Sequence, residues 1–279
     1  MSIWYNLLSQ VPFSWLQFTF MKNALLAVII ITPLFGLLGT MVVNNKMAFF
    51  SDTIGHAALT GIAIGVLLGF QDPIWAMLLF AVAIAIAVTA VKSMTKFTPD
   101  TVIGVFSATS IALGIVILSR NGGFNRYTGF LIGDILSISP SQIAAVAGIL
   151  TAILIIWVLM FNKLLLTSVN PALARSRGIP VLATEIIFTV LIAVVVTAAI
   201  QWVGIMVINS LLILPAAAAR NISGNMKIYH RVSVGISFLA GICGLILSYY
   251  WGTATGATIV LCSAVIFMLS LLVKNKLAC

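Results

Sequence analysis

Charge is what this chain has least of. Only 7% of its 279 residues are Asp, Glu, Lys or Arg, whereas 62% are apolar and the mean hydropathy is +1.23. A water-soluble domain carries about 25% charged residues, because its surface must be hydrated. Lipid is therefore the solvent for most of this chain. Cysteine is scarce too: Cys243, Cys262 and Cys279 form no CxxC pair. That argues against a disulfide framework or a thiolate zinc site, and the first two lie in apolar runs where a thiol behaves as a small hydrophobe. No GxxxxGK[ST] loop, GxGxxG turn or HExxH helix occurs, so the chain lacks the usual phosphate cradle. It also lacks internal repeats and low-complexity tracts. The N-terminal stretch has no basic n-region, which predicts no cleavable signal peptide and a first span that is retained.

What is present is a series of unbroken apolar runs, at 17–43, 47–70, 73–92, 100–119, 141–160, 180–200, 203–219, 232–250 and 254–273. A helix needs about 20 such residues to cross ~30 Å of hydrocarbon. The pattern predicts an all-α polytopic membrane protein of nine spans, or eight if the short run interrupted by Pro215 does not cross. Unbroken runs exclude barrel strands, which alternate. The net charge of +9 is not a nucleic-acid stripe, because the basic residues fall singly in the gaps between runs. Placing 161–179 in the cytoplasm leaves only Lys22, Arg120 and Arg126 of the basic residues outside. The C-terminus is then cytoplasmic. Residues 120–140 form an external segment with the character of a re-entrant or interfacial stretch. In the cytoplasmic loop 161–179, Asn170 as N-cap, Pro171 at the first helical position and Gly178 as a stop predict a short helix.

The most informative run is KMAFFSDTIGHAALTGIAIGVLLGF, residues 46–70. His56 lies ten residues beyond Lys46, about 15 Å along a helix and near mid-membrane. Asp52 and Thr60 sit four residues to either side of it, so the three are expected on one polar stripe. A carboxylate in hydrocarbon costs several kcal/mol unless paired or hydrated, which makes a functional role the default. Imidazole and carboxylate together suit a divalent transition metal, and two ligands hold it loosely enough to release it. The bland reading is an interfacial Asp and a packing His. Ala57, Gly61, Gly65 and Gly69 mark a close helix contact. Asn209 and Ser210 either touch the pathway or reconnect carbonyls freed by Pro215. Glu185, Asp134 and His230 read as interfacial or solvated.

Four stretches, taken together and in order, resemble the permeases of bacterial zinc and manganese ABC importers. They are FFSDTIGHAALTGIAIG (49–65), FLIGDILSISPSQ (130–142), NPALARSRGIPV (170–181) and VGIMVINSLLILPAAAAR (203–220). The likeness runs from about residue 20 to 273. It implies one permease domain over 1–279 in the bacterial cell membrane, paired with a second copy of itself. Separate cytoplasmic ATP-binding cassette subunits would use the ATP, and an extracytoplasmic metal-binding protein would deliver the ion. Asp52 and His56 would line the cation site. Asn170, Pro171, Leu173, Ala174, Arg175 and Gly178 would belong to the segment that couples to the ATPase. Thr60 stands where the family often has proline, Asn170 and Ala172 where it has acidic residues, and 252–257 lacks its usual acid.

The expected function is therefore import of Zn2+ or Mn2+ by alternating access, with no enzymatic activity, no cofactor held by this chain and no nucleic-acid partner. A carboxylate–imidazole pair also admits ferrous iron, and the affinity order favours zinc over manganese. The alternative is an ion-coupled secondary carrier in which Asp52 and His56 relay protons. A membrane metalloenzyme would need three protein ligands and a general base, and only two candidates converge.

Overall fold

The computed structural model describes residues 2–9, 12–70, 74–120 and 133–277. Most of segment 120–140, with Arg126, lies outside them, as does Cys279. The helices are α1 Ser2–Ser9, α2 Thr19–Asn44, α3 Phe50–Leu67, α4 Ile74–Met94, α5 Pro99–Arg120, α6 Pro140–Val169, α7 Pro171–Ser176, α8 Val181–Val203, α9 Ile205–Ile222, α10 Met226–Trp251 and α11 Thr255–Leu277. Two short 3-10 turns, Ser14–Gln17 and Ile135–Ser137, complete the set, and no strand occurs among the described residues. Nine of these helices, all but α1 and α7, are long and apolar enough to cross a membrane. The 203–219 run is one of the nine, α9, with Pro215 inside the helix.

Two boundaries differ from the sequence expectation. Helix α6 runs 30 residues, about 45 Å, so the first half of the anticipated cytoplasmic loop 161–179 continues the helix. Helix α10 begins at Met226, because Asn225 caps it through Oδ1 to the Ile228 amide, 2.9 Å away. His230 is thereby inside the helix and buried rather than solvated in a loop.

The chain forms two compact units. One comprises residues 1–40, 132–150 and 202–279. In it α2 and α10 are joined by a polar zipper. Thr40 Oγ1 lies 2.7 Å from His230 Nδ1, Ser233 Oγ donates to the Gly36 carbonyl at 2.6 Å, and Ser237 Oγ donates to the Thr32 carbonyl at 2.7 Å. Each such interhelical bond contributes about 0.6 kcal/mol in a membrane. The close approach requires Gly36 and Gly241: a Cβ on either would lie within 3 Å of the facing helix. The chain passes from α8 to α9 through Gly204 alone, at φ 80° and ψ 154°, a conformation open essentially to glycine. Gly133 packs directly on it, so two of the four motif stretches meet there. Near the N-terminus, Trp4 Nε1 donates to the Lys22 carbonyl at 3.1 Å and Tyr5 Oη donates to Asn23 Oδ1 at 2.6 Å, which leaves Lys22 buried.

The other unit comprises residues 41–131 and 151–201. In it α3 packs on α4 through Gly61, where a Cβ would meet Met77 Cα at 2.7 Å and the Ala76 carbonyl at 2.8 Å. Gly65 is buried on the same helix, but Gly69 falls beyond its end, so the small-residue stripe is one turn shorter than expected. Helix α3 also packs on α5, through Thr60 and Gly114.

Candidate functional site

Helix α3 is short, at 18 residues, and twelve of them are buried. A tight turn precedes it, with the Met47 amide donating to the Val42 carbonyl and the Phe50 amide to the Met47 carbonyl. The helix therefore begins at Phe50 and not at Lys46. Asp52 sits in its first turn, where the helix dipole favours a carboxylate. His56 is six residues beyond Phe50, about 9 Å of helical rise. The couple thus lies in the N-terminal half of α3, with His56 about 9 Å from the first helical residue rather than the ~15 Å counted from Lys46.

Asp52 and His56 do meet. His56 Nε2 is 3.6 Å from Asp52 Oδ2, and the side chains are 25% and 35% exposed. With Phe49 and Leu59 they form a seam, spaced by three and four residues, that stays open along an otherwise buried stretch. Thr60 does not join it. Each step of four residues turns about 40° around the axis, so by the second step Thr60 faces α5. There it is buried, and its hydroxyl lies 2.5 Å from the Ser110 carbonyl and 3.2 Å from the His56 carbonyl. Asn209 and Ser210 belong to the other unit. Ser210 Oγ donates to the Met206 carbonyl at 2.8 Å, so it does not serve the Leu211 carbonyl freed by Pro215. Among the described residues no three His, Cys, Asp or Glu side chains converge.

The 170–178 segment forms as its residues predict. Asn170 Oδ1 accepts from the Leu173 amide at 3.0 Å and Pro171 opens α7. The Gly178 amide donates to the Arg175 carbonyl at 2.9 Å and the Ile179 amide to the Ala174 carbonyl at 3.0 Å. With Gly178 at φ 72°, these bonds make a Schellman stop. Ala174 is fully buried while Leu173, Arg175 and Arg177 project outward, so the helix is anchored on one side and presented on the other.

Two features leave no signal in the sequence. Glu185, expected at the interface, pairs with Lys92 at 3.0 Å. In the first unit a cavity of about 220 Å³ is walled mostly by aliphatic side chains such as Val28, Ile31, Val207 and Leu211, with Asp134 and Thr255 among its polar lining.

Fold and site together define a multi-pass α-helical membrane transport protein. The ABC 3 transport family model matches residues 17–274, and the chain belongs to that family as a multi-pass permease of the bacterial cell membrane. It is 34% identical over 263 residues to the high-affinity zinc uptake system membrane protein ZnuB of Haemophilus influenzae, covering 94% of this chain and 100% of that one. It is 33% identical to the manganese import system permease protein ScaB of Streptococcus parasanguinis, with 93% and 92% covered. Among solved structures, PsaBC from Streptococcus pneumoniae in complex with Fab superposes with a TM-score of 0.78 at 30% identity, covering 96% of this chain and 94% of that one. A metal-chelate type ABC transporter in an inward-facing conformation shares the fold alone, at 13% identity and a TM-score of 0.68.

Proposed function

We propose that the chain, acting as one permease domain, carries zinc or manganese inward by alternating access, with Asp52 and His56 as transient ligands of the cation in transit. The observation that carries this reading is the spacing of the couple. Two donors of a tetrahedral zinc ion, each 2.0–2.2 Å from the metal, stand about 3.4 Å apart. His56 Nε2 and Asp52 Oδ2 are already 3.6 Å apart without it. Partial exposure leaves room for water to supply the remaining ligands, and a two-residue site releases its ion readily.

The partners follow from the same reading. The chain pairs with a second copy, cytoplasmic ATP-binding cassette subunits dock against α7, and an extracytoplasmic metal-binding protein presents the ion. Leu173, Arg175 and Arg177 are the groups that α7 offers to the ATPase. Reconstitution in liposomes tests this: zinc or manganese should accumulate only when the ATPase subunit and ATP are present, and an uncoupler should have no effect. Uptake by the purified chain alone that collapses with an uncoupler would instead establish an ion-coupled carrier.

A further inference from the structure

The second unit holds another pair of opposite charges inside its spans. Lys92 Nζ, in the last turn of α4, is 3.0 Å from Glu185 Oε2 in the second turn of α8, and the side chains are 18% and 20% exposed. One turn deeper, the buried hydroxyls of Thr89 and Thr189 lie 2.9 Å apart. Lys92 follows Thr89 by three residues and Glu185 precedes Thr189 by four, so each pair of residues shares one face of its helix. The two contacts are spaced about 5 Å along antiparallel helices, which fixes tilt as well as register. A half-buried ion pair is a poor device for stability, because desolvation and screening offset most of the attraction. Fixing a register is its best-attested use.

The position of this clamp gives it a task. Only residues 177–180 separate α7 from α8, and the Schellman bonds hold them. Glu185 comes four residues into α8, so motion of α7 reaches it with little slack. On its other side, α4 is locked to α3 by the contact of Gly61 with Ala76 and Met77. Stiff contacts therefore run from α7 through α8 and α4 to the helix that carries Asp52 and His56.

We propose that Lys92–Glu185 and Thr89–Thr189 form a positioning clamp that makes α4 and α8 move as one body. Displacement of α7 by the ATPase then reaches α3 instead of being lost at the α4–α8 crossing. This inference rests on the function proposed above.

The test uses the full importer in proteoliposomes, with metal uptake and ATP hydrolysis measured together. Lys92→Glu and Glu185→Lys should each leave hydrolysis within about twofold but lower metal moved per ATP by roughly fivefold or more, the scale of a site-to-site coupling energy. The double exchange should restore the ratio. In a background lacking Cys243, Cys262 and Cys279, an oxidised Thr89→Cys/Thr189→Cys pair should transport like its reduced form, since the helices do not part during the cycle. The clamp is overturned if the ratio is unchanged in the single variants. It is equally overturned if uptake, hydrolysis and folded yield fall in parallel, or if the cross-link stops uptake until reductant is added. Should the unmodified complex move neither zinc nor manganese, the functional reading fails instead. Stimulation of hydrolysis by the binding protein then decides the clamp: lost in the single variants and regained in the exchange supports it, and unchanged overturns it.

Discussion

Replacing Gly114 by alanine is predicted to be costly, and the cost is predicted to vanish when Thr60 is also shortened. A Cβ at position 114 would stand 2.7 Å from Thr60 Oγ1 and 3.5 Å from its Cα and Cβ. Only the hydroxyl is in the way. Thr60 can escape by rotating, but it then abandons the Ser110 carbonyl, to which its hydroxyl is held at 2.5 Å. Overpacking and the lost bond together set the cost of Gly114→Ala at about 1–2 kcal/mol. Thr60→Ala alone loses the same bond and leaves a methyl-sized hole, for a similar ~1–2 kcal/mol. In the double variant the new methyl moves into the vacated space, so the two costs should fall short of adding by at least ~1 kcal/mol. Thermal unfolding in detergent should read this as a midpoint several degrees above the additive expectation. Additivity to within about 0.5 kcal/mol would refute the contact. Metal uptake by the double variant should remain close to that of the parent, because the Thr60 hydroxyl is already taken up by the Ser110 and His56 carbonyls.

Other outcomes follow from the same geometry. Ser233→Ala with Ser237→Ala removes two bonds from α10 to α2 and should cost about 1 kcal/mol, read as a lower unfolding midpoint with uptake per folded molecule unchanged. Asn170→Ala deletes the cap of α7 and should cost about 1 kcal/mol of local helix stability. Metal uptake should drop while the midpoint of the membrane core holds, and Asn170→Asp should restore the uptake. Gly204→Ala places a side chain at φ 80° and should cost about 1–3 kcal/mol in backbone strain, read as reduced folded yield after detergent extraction.

The spans are legible because lipid demands about 20 apolar residues per crossing, and that demand is written in composition alone. Helix α7 is equally legible, since Asn170, Pro171 and Gly178 each act locally. Helix starts and facing are harder. Counting from Lys46 puts His56 too far along its helix, because nothing in KMAFFSD announces that residues 45–49 turn before the helix starts. Thr60 looks like part of the polar stripe because a spacing of four reads as one face until the 40° drift is counted twice. His230 reads as solvated beside Arg231, whereas its partner Thr40 is 190 residues away. The Lys92–Glu185 pair hides for the same reason, since a pairing between distant helices leaves no periodic trace.

The claim on which the account depends is that a cation passes between the side chains of Asp52 and His56. Accumulation of zinc and of manganese in cells whose only importer carries Asp52→Asn or His56→Ala tests it most directly, with membrane levels of the protein checked alongside. Loss of a ligand should reduce accumulation at least about tenfold for the transported metal in each variant, with the protein still inserted at its normal level. Normal accumulation in both variants would contradict the account.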